Sequence, residues 1–271
     1  ECLAELPNYL TSVPLHSRVW FQYKLYQINA MFELLLLDEL LAEVSPWINA
    51  PDIPLKFKLT VHIYYAKLMQ TNGFEDEANE YLEKSIEILK DVNEVSPDPM
   101  LEVQIANTLN SLRRYQQGYD LLSPLEVKYK DRHMPKFKHE LYENLGHFAY
   151  RLGDLDKHLE YRLLARVWAK EQGNQVQLAI STYNVGRAYQ MLESYEQAFE
   201  YFLIAEQMQA MGQSDQNMIW FRRAEMSLAQ GNVIQAKAYF ANLNKETSIR
   251  SYQKMFTQLE SNLNNAQAVK E

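Results

Sequence analysis

The chain has 271 residues, 47% apolar by type and 23% charged, a globular rather than a disordered balance. Eight glycines and nine prolines are too few turn residues for a many-stranded sandwich or barrel, so a long helical chain is expected. A formal net charge of −8 speaks against nucleic-acid binding by this region, and the single cysteine, Cys2, excludes an internal disulfide framework and a cysteine-rich zinc site.

Residues 1–54 are expected to form an N-terminal arm and a degenerate helical pair over 17–48 that acts as a cap. The pair carries the apolar runs Val19-Trp-Phe-Gln-Tyr-Lys-Leu-Tyr26 and Leu34-Leu-Leu-Leu37. The longest apolar stretch, Ala30 to Val44, is broken by Glu33, Asp38, Glu39 and Glu43, so no membrane span is expected. The first residues do not read as a signal peptide, so none is expected within this stretch. The absence of an initiating Met reads as a processed product or an excised fragment. A lone thiol leaves a cytoplasmic and an exported (periplasmic) placement both open.

Periodicity governs the middle of the chain. Arg151-Leu-Gly-Asp-Leu-Asp-Lys-His-Leu-Glu-Tyr161 aligns with Met191-Leu-Glu-Ser-Tyr-Glu-Gln-Ala-Phe-Glu-Tyr201 at a shift of 40 residues. The same frame collects Ala78, Gly118, His158, Ala198 and Ala236, at spacings of 40, 40, 40 and 38. Twelve positions earlier stand Ala66, Ala106, Gly146, Gly186 and Ala224. Three positions later come Tyr81, Leu121, Tyr161, Tyr201 and Tyr239, and seven later Ser85, Leu125, Ala165, Ala205 and Leu243. Ile28 and Leu40 enter this frame by a shift of 38. Small residues let two helix backbones approach closely, and the following positions continue one helical stripe.

Turn signals lie between the two small positions at Asn72-Gly73, Gly153-Asp154, Glu193-Ser194 and Gly231-Asn232. Stops follow at Ser96-Pro97-Asp98-Pro99, Met134-Pro135, Gly173-Asn174 and Gly212-Gln213-Ser214. The predicted helices run over 55–71 and 75–91, 99–112 and 115–129, 135–152 and 155–172, 174–191 and 195–211, 214–229 and 232–243. Ile249 to Ala268 reads as one more polar helix, so 244–271 is expected to be a C-terminal capping or connector helix.

The order small, small, aromatic, small resembles the tetratricopeptide repeat (TPR) family, whose usual period of about 34 becomes about 40 here. The likeness covers roughly residues 55–243. It is most specific in Tyr183-Asn-Val-Gly-Arg-Ala-Tyr189 with Tyr195-Glu-Gln-Ala-Phe-Glu-Tyr-Phe202. Gly118 and His158 depart from the usual alanine. The resemblance implies an all-α, right-handed α-solenoid of helical hairpins: five repeats over 55–243 between terminal caps, the first helix of each lining a concave groove.

With the first-helix small residue as origin, four columns are then expected to face the groove. Two positions before it stand Tyr64, Gln104, Asn144, Asn184 and Arg222; three before it stand Ile63, Val103, Glu143, Tyr183 and Phe221. One after it come Lys67, Asn107, His147, Arg187 and Glu225; four after it come Gln70, Asn110, Tyr150, Gln190 and Leu228. Asn144 and Asn184 could each grip one amide of an extended peptide. Arg187, Arg222 and Lys67 suit a carboxylate, and Tyr150, Tyr183 and Phe221 offer aromatic walls. The candidate ligand-binding residues are therefore Lys67, Gln104, Asn107, Glu143, Asn144, His147, Tyr150, Tyr183, Asn184, Arg187, Phe221 and Arg222.

No catalytic constellation, metal site or cofactor is expected. His139, Glu143 and His147 share one helix face but lack a zinc-protease spacing, and His158 is expected to be a packed, hydrogen-bonded ring. The expected function is a non-catalytic module that binds a peptide or protein segment. The setting expected for it is the ligand-sensing or regulatory part of a larger bacterial signalling protein, alongside a kinase, nucleotide cyclase or DNA-binding domain. The alternative is a free-standing adaptor or co-chaperone scaffold. A homodimer is a further candidate assembly should Trp20 or Trp220 be exposed.

Overall fold

A computed structural model describes residues 2–208, 213–244 and 250–268, and every regular element among them is helical. The fold is an all-α solenoid of helical hairpins. The chain divides into two compact units, residues 1–132 and 133–271.

The first unit opens with α1 (Cys2–Ser12), a helix where only an arm was expected. Three hairpins follow. The first joins α2 (Arg18–Glu33) to the short α3 (Leu37–Val44), the second α4 (Leu55–Thr71) to α5 (Glu75–Val95), and the third α6 (Pro99–Ser111) to α7 (Tyr115–Lys128). Trp20 is buried in an aromatic cluster with Phe21, Trp47 and Phe57. The second unit holds α8 (Pro135–Leu152) with α9 (Leu155–Gln172), α10 (Gln175–Met191) with α11 (Tyr195–Glu206), and α12 (Gln213–Ala229) with α13 (Val233–Phe240). It ends on α14 (Arg250–Ala268). Trp220 is half-buried there, its ring 6.0 Å from that of Tyr239.

The small-residue register is the core of every hairpin. Ala66, Ala106, Gly146, Gly186 and Ala224 are buried, as are Ala78, Gly118, His158, Ala198 and Ala236. Ile28 and Leu40 are buried as well, so the first hairpin obeys the same frame with larger side chains. The closest approach is at Gly186, where a Cβ would stand 2.8 Å from two ring carbons of Phe202. On the second helices Leu82, Leu122, Arg162 and Phe202, four positions after the small residue, are buried. The tyrosines three positions after it flank this column, and Tyr81, Tyr201 and Tyr239 are only half-buried.

Each of the six hairpin turns is built the same way. A residue at positive φ occupies the position five before the second-helix small residue: Leu35, Gly73, Arg113, Gly153, Glu193 and Gly231. The next residue then donates its N–H to the carbonyl five positions back, as in Phe74 to Met69, Arg114 to Leu109 and Ser194 to Tyr189. These are Schellman closures, which glycine makes without steric cost and other residues only with strain. The following helices start on caps read from the sequence. Asp98 accepts from Met100 N, and Asn174 accepts from Val176 N and Gln177 N. The stop expected at Gly212 lies outside the described residues.

Candidate ligand-binding wall

In the second unit the first helices α8, α10 and α12 carry the expected binding residues. Helix geometry separates adjacent positions by about 100°, so neighbouring columns serve different purposes. The column three before the small residue is largely buried, and Glu143 is turned into it toward Arg162 rather than onto an open groove; Tyr183 stays half-buried, and Phe221 borders a cleft beside α14. Ile63 and Val103 of that column are buried. Phe221 is 2% exposed and lies 5.2 Å, ring to ring, from Phe256 of α14. Tyr183 is half-buried, its ring 5.5 Å from that of Phe202.

Glu143 occupies this core column, and its partner explains why. Arg162 of α9 stands where the other second helices place Leu82, Leu122 or Phe202, and its guanidinium pairs with the Glu143 carboxylate. Ser181 Oγ donates to Glu143 Oε1 at 3.0 Å, and Asn184 Nδ2 donates to Oε2 at 3.2 Å. A buried salt bridge thus replaces the apolar pair of the other hairpins and ties α8, α9 and α10 together. Arg162 was not among the sequence candidates. Its signal was the position itself, a cation in an apolar column 19 residues after a carboxylate in another.

Asn144 is also buried, and its Nδ2 donates to Glu140 O at 2.9 Å. His139 is buried too, with Nδ1 on Ala165 O at 3.2 Å, so His139 and Glu143 are turned to different partners. Among the described residues no group of three His, Cys, Asp or Glu is placed to hold a metal ion. His158 Nδ1–H donates to Gly146 O at 2.7 Å, and burial pushes this ring's pKa down to about 4. His147 is likewise pushed down to about 4, by burial and then by Arg162 and Arg151, so both rings are neutral at pH 7.

The columns one and four after the small residue form the accessible wall. His147, Arg187, Glu225, Gln190 and Leu228 are half-buried, and Tyr150 is 39% exposed. Two arginines meet here across α10 and α12. Arg222 pairs with Glu225 Oε2 at 2.7 Å. Gln190 Nε2 donates to the same Glu225 oxygen at 3.2 Å, and Arg187 donates to Gln190 Oε1 at 2.6 Å. Among the described residues Arg187 forms no ion pair. Its pKa is lowered, first by burial and then by the charge of Arg222. For Arg222, burial opposes the charge, but Tyr183 and Glu225 outweigh it and raise the pKa. Two guanidinium groups therefore stand near one carboxylate in a partly desolvated place, Arg222 paired with it directly and Arg187 linked to it through Gln190.

No family model matches the chain, nor does any curated protein sequence. Solved structures do resemble it. PilF of Pseudomonas aeruginosa superposes with a TM-score of 0.61 at 14% identity, over 89% of this chain and 96% of that one. A signal-transduction ATPase with numerous domains and a tetratricopeptide repeat sensor, from Pyrococcus horikoshii, gives 0.58 at 16% identity over 93% of this chain. This chain spans 36% of that ATPase's length. NprR in complex with its cognate peptide NprX gives 0.59 at 15% identity, over 85% of this chain and 68% of that one. The fold is of the TPR type. At these identities the likeness speaks for the TPR-type fold alone.

The TPR-type hairpins of the first unit carry a second wall. Lys67 sits over the rings of Phe32 and Tyr64, at 4.6 and 5.4 Å, and burial pushes its pKa down to about 8 despite Glu33. Gln104 and Asn107 of α6 are half-buried. A cleft of about 670 Å³ opens between α2, α4 and α6 beside Gln104, with Phe21, Phe57 and Val92 in its lining. Most of that lining comes from the degenerate first hairpin and the start of α4, which had not been expected to contribute to a site.

Proposed function

We propose that this chain is a non-catalytic module that holds a peptide or protein segment against the first helices of its second unit. The observation that carries the reading is the Arg187–Gln190–Glu225–Arg222 network, with two cations for one carboxylate beside Tyr150 and Tyr183. A partly desolvated excess of positive charge favours an anionic guest, and the amides and tyrosines around it suit a polypeptide. The reading also draws on NprR, a similar TPR-type fold solved with a bound peptide, and on the ATPase whose TPR part is a sensor. By the same analogy the module serves as the ligand-sensing or regulatory part of a larger bacterial signalling protein.

The test is selection of a random peptide display library on the purified chain. The proposal predicts enriched sequences that bind the native protein and are lost from an Asn184→Ala/Arg187→Ala/Arg222→Ala variant whose helical signal and melting are native-like. Failure to enrich any sequence, or equal binding by the folded variant, would remove the proposal.

A further inference from the structure

Helix α14 follows the last hairpin and contributes Phe256, Leu259 and Leu263 to a core cluster with Met218, Phe221 and Ala236. Its packing does not close the surface of α12. A cleft of about 530 Å³ remains between the two helices. Phe221, Leu228, Met255 and Leu259 supply its apolar lining, and Glu225 and Lys254 its charges. Glu225 is the residue that links this cleft to the arginine pair. The carboxylate that lines the cleft is the one that accepts from Arg222 and from Gln190. Thus an apolar recess and a place with two cations for one anion are contiguous through a single side chain. Lys254, exposed on α14, adds a further positive charge on the far side of the cleft.

The volume is that of a few residues, too small for a folded partner and sufficient for one large side chain with its neighbouring backbone. The chemistry is two-part. An apolar side chain removed from water gains roughly 25 cal/mol per Å² of area covered. A carboxylate beside it meets guanidinium groups that already carry part of their desolvation cost. Neither part alone discriminates strongly, whereas the adjacent pair does, because a guest lacking the acid leaves Arg187 without an anion.

We infer that the α12/α14 cleft and the Arg187/Arg222 pair form one binding site for a polypeptide segment in which a carboxylate stands next to a large aliphatic or aromatic side chain. Resting on the peptide-binding reading above, the inference assigns that guest its chemistry and assigns α14 a share of the site. The carboxylate sits on the arginines and displaces Glu225 toward Lys254, and the apolar side chain enters between Leu228 and Met255.

The same library selection tests it through the consensus. Enriched peptides should carry Asp, Glu or a free C-terminus within two positions of Leu, Ile, Met or Phe. Synthetic peptides with a free and an amidated C-terminus then tell a terminal carboxylate from a side-chain one. Ala229→Trp, at an exposed position on the cleft's edge, should block the recess and weaken the best peptide about tenfold or more while leaving melting unchanged. Leu228→Gln gives a second, smaller lesion of the same recess. Arg187→Gln should weaken acidic peptides about tenfold and leave their amide analogues alone. Enrichment of peptides without the acid–apolar pair overturns this inference and leaves the general reading standing, as does indifference to both cleft variants. Failure to enrich any peptide overturns both.

Discussion

Gly186→Ala places a methyl group where the register says none fits. The added Cβ would lie 2.8 Å from Cδ1 and Cε1 of Phe202, against an ordinary carbon contact of about 3.5–4 Å, so something must yield by about 0.7 Å. Phe202 cannot yield cheaply. It is fully buried in a cluster with Ala179, Ala198, Ala205, Ile219 and Met226. Overpacking of this kind costs about 1–3 kcal/mol, whereas replacing an interior helical glycine by alanine returns about 1 kcal/mol. A net loss of up to about 2 kcal/mol is expected. Gly146→Ala is the control, because its Cβ would meet Arg162 Nε at 3.3 Å and Tyr161 Cβ at 3.4 Å, contacts relieved by a shift of a few tenths of an ångström. That variant should be neutral or stabilised by up to about 1 kcal/mol. Urea denaturation of both variants measures the difference directly. In a Gly186→Ala/Phe202→Leu double variant the two losses should be less than additive, since the smaller side chain makes room. Equal stability of the two single alanine variants, or strict additivity in the double, would refute the close-crossing argument.

Three further predictions concern the same unit. Removing one member of the buried Glu143–Arg162 pair, as in Arg162→Met, should cost about 3 kcal/mol. Glu143→Leu/Arg162→Met, which restores an apolar pair, should come within about 1 kcal/mol of the parent in the same urea assay. His158 has its pKa lowered from 6.5 to about 4, so below pH 6.5 the unfolded chain binds a proton that the folded chain refuses. Stability should therefore fall as pH drops from about 6.5 to about 4, by about 3 kcal/mol from this residue, and a His158→Gln variant should show a shallower fall; identical pH profiles would contradict it. Gly153, at φ 87°, should lose about 1–2 kcal/mol on change to Ala, whereas Glu193→Gly at the equivalent turn, φ 57°, should gain up to about 1 kcal/mol, both read from melting curves.

The hairpins were legible because a small residue recurs at fixed distance, and packing cannot tolerate anything large at those crossings. Most helix bounds followed from the glycine, proline and Asx signals around them, but α5 runs on to Val95 rather than 91 and α11 stops at Glu206 rather than 211. Turns were legible where glycine marks them and at Glu193-Ser194. Leu35 and Arg113 adopt the same backbone under tertiary constraint and carry no local cue. The site was half legible. Reading two adjacent columns as one face placed Glu143 on the open groove, although a single position turns a helical side chain by more than a quarter circle. A glutamate in a core column looks like a solvated residue until Arg162, one helix away, is seen to neutralise it. Arg187 and Arg222 were named from the sequence. That Arg222 pairs with Glu225 while Arg187 reaches it through Gln190, and that Glu225 also lines the cleft beside α14, depends on distances no periodicity encodes.

The most direct test of the binding wall is site-specific photocrosslinking. Benzoylphenylalanine in place of Tyr150, 39% exposed on α8, should capture a selected peptide, whereas the same group in place of Val167, 51% exposed on the second helix α9, should not. Capture should fall when Arg187 and Arg222 are both changed to Gln. Efficient capture at Val167 with none at Tyr150 would place the guest on the wrong side of the hairpins and contradict the account.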